Sequence, residues 1–116
     1  MDDSAAFLYS ARTLLDRQGV TVVGTASTSA EALRLAAALR PDVVLVDIAL
    51  GEEDGFDLAC RLAESSGDRD GGAITVIMIS AAAECDYADL VAESAAAGYL
   101  PKAELSAAGI QQILSR

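Results

Sequence analysis

Apolar residues recur along the chain with two different periods, and the alternation between them predicts the fold class. From Ser4 to Arg17 they are spaced as on one face of a helix, and Gly19 follows at a position typical of a helix end. The segment 42–48 (DVVLVDI) instead holds a continuous apolar run, which is typical of a strand that helices cover on both faces. Buried strands that alternate with helices are therefore expected.

The same two patterns predict the other elements. The predicted strands are 20–27, 73–80 and 98–102, and the predicted helices are 31–40, 56–65, about 85–95 and 105–114. Thr28 and Glu31 form a capping box before the second helix, and Pro41 ends that helix. Because strands that alternate with helices pair in parallel through right-handed crossovers, we expect an α/β fold with a doubly wound parallel sheet.

Polar side chains stand where the predicted strands end and just before the first helix. In an open parallel sheet, sites form at the C-terminal ends of the strands, so these side chains should meet at one edge. The five residues are Asp2, Asp3, Asp47, Ser80 and Lys102.

This set of side chains predicts a metal site and a reaction. Three converging carboxylates repel one another unless a cation lies among them, and Mg²⁺ prefers oxygen ligands and needs few from the protein. Zinc is disfavoured because the chain has no histidine and its two cysteines lie far apart. With Mg²⁺ bound, an Asp47 oxygen can attack phosphorus while Lys102 and Ser80 stabilise the phosphoryl oxygens. The residues predict phosphoryl transfer to Asp47.

The arrangement resembles the response-regulator receiver domain of two-component signalling, the CheY-like family, over nearly the whole chain. In that family an acidic pair binds Mg²⁺, and the resemblance assigns this role to Asp2 and Asp3. An aspartate at the end of the third strand accepts the phosphoryl group, which corresponds to Asp47. The backbone carbonyl two residues later, here that of Ala49, also binds the metal.

The resemblance implies roles for three further residues. Ser80 and Lys102 correspond to the Ser/Thr and the lysine that contact the phosphoryl group, and Tyr99, three residues before Lys102, corresponds to the switch aromatic. Phosphorylation then shifts the population between two states. This shift remodels the face formed by the last strand and the helices on either side of it.

The expected partners follow from the same resemblance and from the composition. Because the chain contains no histidine, the phosphodonor must be a small acyl phosphate or a partner's phosphohistidine, and the resemblance implies a sensor histidine kinase or a histidine phosphotransfer protein as that partner. The remodelled face would bind a target protein or a second copy in a homodimer. A formal charge of −10 disfavours direct binding of nucleic acid. With no apolar run of about 18 residues and no secretory signal, we expect a cytoplasmic protein.

The family's flavodoxin-like, three-layer α/β/α fold has strand order 2-1-3-4-5, and we expect residues 1–116 to form one stand-alone receiver with no output domain. Met1 is all that occupies the place of the family's first strand, so that strand is expected to be largely missing. In one alternative the native start lies upstream and Met1 takes the place of a valine. In the other, segment 20–26 pairs directly with segment 42–47.

Two rival functions share part of this pattern. A pseudo-receiver has the same fold and binds partners without phosphorylation. A haloacid-dehalogenase-like phosphatase also uses a nucleophilic aspartate at a strand end, but it needs a second aspartate where this chain has Ala49. Taken one by one, these residues also allow structural roles: a helix cap for Asp2 or Asp3 and a turn for Asp47. The combined pattern favours a signalling switch that is not an enzyme.

Overall fold

The computed structural model describes residues 1–2, 5–50, 53–65, 74–80 and 96–114. The helices in these residues are α1 (Ala5–Arg17), α2 (Ser29–Leu39), α3 (Gly55–Ser65) and α4 (Ala107–Leu114). The strands are β1 (Val43–Asp47), β2 (Ala49–Leu50), β3 (Glu53–Asp54), β4 (Thr75–Ser80) and β5 (Gly98–Pro101), and a 3₁₀ turn covers Lys102–Glu104. The predicted helix 85–95 lies outside the described residues.

Three of the strands form a parallel sheet in the order β1-β4-β5. Val43 to Asp47 pair with Thr75 to Ile79, and Ile77 to Ser80 pair with Gly98 to Pro101. β2 and β3 form a separate antiparallel ribbon directly after β1. Because the three parallel strands end at the same edge, the residues at their C-terminal ends come together there.

Helices cover the sheet on both faces and divide the core into two clusters. Val76 and Met78 of β4 pack in a cluster with apolar residues of α2 and α3. Ile77, between them, packs in a second cluster with residues of α1 and α4. Side chains alternate between the faces of a strand, so β4 contributes to both clusters. This arrangement confirms the predicted three-layer α/β/α fold.

The second helix begins where its capping box predicts. The Thr28 hydroxyl accepts a hydrogen bond from the Glu31 amide at 3.1 Å, and the Glu31 carboxylate accepts one from the Ser27 amide at 3.2 Å. The helix ends at Leu39, and its C-cap residue Arg40, directly before Pro41, has a left-handed backbone with φ of 49°. These caps satisfy backbone groups at both ends, and the N-terminal cap contributes about 1 kcal/mol.

The predicted strand 20–27 is wrong, and so is its direct pairing with segment 42–47. Residues 20–26 have no strand structure. Met1 and Asp2 lie between this segment and β1: the Asp2 amide donates to the Ala26 carbonyl at 3.1 Å, and the Asp47 amide donates to the Met1 carbonyl at 3.0 Å. An apolar segment becomes a strand only when a partner pairs along its length, and two residues pair with very little of it.

Candidate functional site

The described site is built at the C-terminal edge of the sheet by four of the predicted residues. Asp47 ends β1, Ser80 ends β4 and Lys102 follows β5 directly. Asp2 reaches the same edge through the backbone hydrogen bonds that connect residues 1–2 to β1 and Ala26. Asp2, Asp47 and Ser80 are all buried, with exposed fractions of 0%, 4% and 4%.

Lys102 joins the two buried carboxylates. Its Nζ lies 2.6 Å from Asp2 Oδ2 and 3.1 Å from Asp47 Oδ2. Both contacts are ion pairs, and the contact with Asp47 also has hydrogen-bond geometry. Burial lowers the pKa of Lys102, but the two carboxylates outweigh this effect and raise its pKa above the usual 10.5. Lys102 is therefore a fixed cation in this site.

Besides the two carboxylates, the aromatic ring of Phe7 contacts the Lys102 ammonium. The Lys102 Nζ lies 4.4 Å from the centre of the Phe7 ring, within the range of a cation–π interaction. The sequence reasoning missed this role because Phe7 fits the apolar helical pattern of α1. The sequence feature that could have indicated this contact is the position of Phe7 in the first two turns of α1. That helix follows Asp2 and starts at the edge where Lys102 lies.

Replacing Phe7 with leucine should lower the free energy of unfolding through the lost cation–π contact by about 0.5–1 kcal/mol. A double-mutant cycle with Lys102→Met isolates this contribution from the packing change, because both single variants change core contacts. Chemical denaturation of the four proteins gives the coupling energy. A coupling energy of zero between Phe7 and Lys102 would contradict the assignment.

The amino group of Met1 lies beside the carboxylate pair. It donates a hydrogen bond to the Leu45 carbonyl, and burial lowers its pKa from 8.0 to about 6 although Asp2 and Asp47 act in the opposite direction. The unfolded chain then binds more protons than the folded chain between pH 6 and 8. The free energy of unfolding should therefore rise with pH across this range.

A difference of about two pKa units limits the full effect to about 2.7 kcal/mol, of which about 1.5 kcal/mol falls between pH 6 and 7.5. The measurement is urea denaturation between pH 6 and 7.5 without divalent metal. The window is well suited because the chain has no histidine, so side chains with ordinary pKa values scarcely titrate in it. A free energy of unfolding that stays flat across the window would show that the amine is exposed to solvent.

Gly55, the first residue of α3, packs against the backbone at the end of β1. A Cβ at this position would lie 2.2 Å from the Asp47 carbonyl oxygen and 3.0 Å from Ile48 Cα. The absence of a side chain at Gly55 thus lets α3 start directly behind Asp47. It sets the position of the backbone that carries Asp47.

The remaining predicted site residues are distributed as follows. Ala49 lies in β2, two residues after Asp47, and Asp3 lies outside the described residues. Tyr99 lies in β5, is half-buried, and packs against the core cluster shared with α2 and α3. The structure thus brings Asp2, Asp47, Ser80 and Lys102 to one edge.

The donor set fits a hard divalent cation. The Asp2 and Asp47 carboxylates lie close enough together that both contact the Lys102 ammonium. Mg²⁺ is usually bound by one or two carboxylates together with water. Within the described part of the chain, no three side chains of the acidic, histidine or cysteine type are grouped closely enough to hold a metal.

Comparison with known proteins identifies the family. Residues 1–114 match the family model described as "Response regulator receiver domain". The chain belongs to the response-regulator receiver family. The response regulator GacA of Pseudomonas aeruginosa is 31% identical to this receiver over 103 residues, which cover 89% of the chain and 44% of GacA. The family and the fold predicted from the sequence are confirmed.

Solved receiver structures show the same fold. The signal receiver domain of the putative response regulator NarL from Mycobacterium tuberculosis has a TM-score of 0.79 at 30% identity, with 99% of this chain and 93% of that chain covered. A Burkholderia pseudomallei response regulator, solved with a phosphorylated aspartic acid, a calcium ion and citrate, has a TM-score of 0.78 at 26% identity and covers 97% and 62% of the two chains. The receiver spans about half the length of the curated relatives that it matches.

No helix in the described residues is both long enough and apolar enough to span a bilayer. The family is a signalling domain of two-component systems.

Proposed function

We propose that this receiver accepts a phosphoryl group on Asp47 in a reaction that requires Mg²⁺. The observation that carries the proposal is the bridge from Lys102 to Asp2 and Asp47, both buried at the edge where parallel-sheet proteins bind ligands. A lysine held between two carboxylates provides a phosphate-binding cation next to a nucleophile and a metal ligand. The phosphorylated aspartic acid and calcium ion of the Burkholderia relative belong to that protein and support this chemistry by similarity.

The reaction transfers a phosphoryl group from a phosphohistidine nitrogen to a carboxylate oxygen of Asp47. An Asp47 carboxylate oxygen attacks the phosphorus of a partner's phosphohistidine, the bond from phosphorus to the imidazole nitrogen breaks, and the imidazole leaves with that electron pair. Lys102, which pairs with the Asp47 carboxylate before the reaction, then pairs with a negatively charged phosphoryl oxygen. The Ser80 hydroxyl donates a hydrogen bond to another phosphoryl oxygen. Mg²⁺, held by Asp2, Asp3, Asp47 and the Ala49 carbonyl, would supply charge neutralisation at the phosphoryl group.

The output of the switch is a protein contact. Movement of Ser80 toward the phosphoryl group frees space into which Tyr99 turns, so the surface around β5 changes shape between the two states. We propose that this surface binds a target protein or a second copy of the receiver, and that the donor is a sensor histidine kinase or a phosphotransfer protein. The cytoplasm, where such donors act, is the proposed location.

Incubation with Mg²⁺ and acetyl phosphate tests the proposal. Intact-mass spectrometry should show one added phosphoryl group, which chelation of the metal with EDTA abolishes. Asp47→Asn should remain unmodified. Asp57→Asn is the matched control because Asp57 is 58% exposed on α3 and forms a surface ion pair with Arg61; it should be modified like the parent chain.

A pseudo-receiver is the second candidate, and one observation favours it. In the described part of the chain, Met1 and Asp2 are the residues that lie beside β1 on the side opposite β4, so few backbone hydrogen bonds hold Asp2 in place. If the folded receiver, verified by cooperative unfolding, acquires no phosphoryl group with Mg²⁺ and acetyl phosphate, phosphorylation on Asp47 is rejected and the pseudo-receiver function is favoured.

A further inference from the structure

Lys102 is the only lysine of the chain, and three of the described side chains interact with its ammonium. Two are the carboxylates of Asp2 and Asp47, and the third is the aromatic ring of Phe7, whose centre lies 4.4 Å from Lys102 Nζ. The Lys102 side chain is 20% exposed, so it also has access to solvent. The three contacts together keep the ammonium beside Asp47.

The two carboxylates have a further role in the proposed function, on which this inference rests, because they also bind Mg²⁺. A carboxylate that contacts a divalent cation attracts an ammonium less strongly, since much of its negative charge is already neutralised. The ammonium and the metal ion also repel each other, because both are positive. The ion pairs of Lys102 with Asp2 and Asp47 are therefore weaker when Mg²⁺ is bound.

Phosphoryl transfer nevertheless needs Lys102 to stay near Asp47, where it stabilises the charge of the phosphoryl oxygens. A lysine side chain has a flexible four-carbon stem and a strongly hydrated ammonium. Held by weakened ion pairs alone, the Lys102 side chain would turn toward solvent. The site therefore needs a contact to this ammonium that does not weaken when metal binds.

The ring of Phe7 provides such a contact. An aromatic face attracts a cation through its quadrupole, whereas Mg²⁺ takes oxygen ligands, so the ring and the metal do not share a binding partner. The ring is also fixed in position, because Phe7 packs against the core cluster that α1 shares with α4. Its place in the site is set by the core of the domain and does not depend on the carboxylates.

We propose that Phe7 is a positioning residue for Lys102: its ring keeps the Lys102 ammonium beside Asp47 when Mg²⁺ is bound to the carboxylates. The ring contact is present with and without metal, whereas the two ion pairs weaken when metal binds. Two results are expected. Lys102 stays over the ring at saturating Mg²⁺, and a weakened ring contact slows phosphorylation without weakening the binding of Mg²⁺.

The position of Lys102 can be followed with Mg²⁺ alone, without a phosphodonor. Because the chain has a single lysine, labelling with ¹³C-lysine gives one Cε signal in the NMR spectrum. The ring current of Phe7 should shift the protons on this carbon upfield, and we expect this shift to persist at saturating Mg²⁺. Phe7→Leu should abolish it. If Mg²⁺ moved the parent signal to the position of a lysine in an unfolded chain, the proposal would be overturned.

Fluorinated phenylalanine at position 7 changes the ring electronically at nearly constant shape. Fluorine withdraws electron density from the ring face and weakens its attraction for a cation. At saturating Mg²⁺ and fixed acetyl phosphate, the rate of phosphorylation should fall from the parent to the monofluorinated to the trifluorinated ring, by about three- to tenfold in total, as a cation–π contact predicts. Trifluorinated phenylalanine in place of Phe56, which packs in the cluster with α2 and α3, is the matched control and should leave the rate unchanged.

Calorimetric titration with Mg²⁺ distinguishes positioning of Lys102 from damage to the site. A weaker ring contact lets the ammonium move away from the metal, so the trifluorinated chain should bind Mg²⁺ as tightly as the parent chain or more tightly. A distorted site would bind Mg²⁺ more weakly. Weaker binding of Mg²⁺, or equal and measurable rates across the fluorinated series, would overturn the proposal. A parent chain that keeps the lysine shift with Mg²⁺ but is never phosphorylated would support the position of Lys102 over Phe7 and reject the proposed function.

Discussion

Replacing Lys102 with methionine should lower the free energy of unfolding by about 3–5 kcal/mol at pH 7. The variant keeps most of the side-chain volume but removes the cation that contacts both Asp2 and Asp47. These carboxylates are 0% and 4% exposed, so neither gains water when the ammonium is lost. Two buried negative charges would then repel each other at short range.

The matched control for this measurement is Arg61→Met. Arg61 pairs with Asp57 at 3.0 Å, but both side chains are more than half exposed, at 59% and 58%. An exposed pair of this kind contributes little to stability, at most about 1 kcal/mol. Urea denaturation of both variants gives the comparison. If Lys102→Met cost no more than Arg61→Met, the bridge between the buried carboxylates would not be a stabilising element of the fold.

The stability of Lys102→Met should also differ from that of the parent chain in its dependence on pH and on Mg²⁺. The pKa of Lys102 is raised in the folded state, so its contribution is fully present below its usual pKa of 10.5 and is lost as the pH rises through the still higher folded value. Lys102→Met should not show this loss of stability at alkaline pH. Mg²⁺ should stabilise the variant more than the parent chain, because it binds the folded state and supplies the missing positive charge.

Gly55→Ala should lower the free energy of unfolding by about 3 kcal/mol, at the upper end of the usual cost of overpacking. The added Cβ would lie 2.2 Å from the Asp47 carbonyl oxygen and 3.0 Å from the Ile48 backbone. Neither group can rotate away, so either α3 or the end of β1 must move. Because Asp47 is carried by that backbone, the rate of phosphorylation by acetyl phosphate should also fall, by about tenfold or more when the reacting group is misplaced.

Gly24→Ala is the control for Gly55→Ala. Its Cβ would meet Leu39 Cδ1 at 3.0 Å, the far end of a side chain that is 43% exposed and able to turn aside. We expect a change of less than about 1 kcal/mol and an unchanged rate of phosphorylation. Equal stability and equal rates for the two variants would show that the contact between α3 and the end of β1 does not set the position of Asp47.

The sequence predicted the residues of the site better than it predicted the path of the chain. Asp47, Ser80 and Lys102 were predicted at one edge because a continuous apolar run defines a buried parallel strand, and the residue that ends the run must lie at the sheet edge. Segment 20–27 has the composition of a strand but not the structure. Strand formation depends on a paired neighbour, and the two residues at the start of the chain pair with Ala26 alone in this segment.

Contacts made by the site residues were harder to predict than their positions. Phe7 matched the helical pattern of the core, and no spacing rule distinguishes a core aromatic from one that lies 4.4 Å from a lysine ammonium. The contact of Gly55 with the Asp47 backbone depends on the angle at which α3 leaves the ribbon of β2 and β3. Such angles are set by tertiary packing, which a single sequence does not display.

The residue that accepts the phosphoryl group can be located directly. The receiver is incubated with Mg²⁺ and acetyl phosphate, the acyl phosphate is reduced with borohydride, and the modified position is read by peptide sequencing in the mass spectrometer. We predict that reduction converts the side chain of Asp47, and of no other aspartate, to the corresponding alcohol. A reduced side chain at any other aspartate, or none in protein that unfolds cooperatively and was incubated with Mg²⁺, would contradict Asp47 as the acceptor.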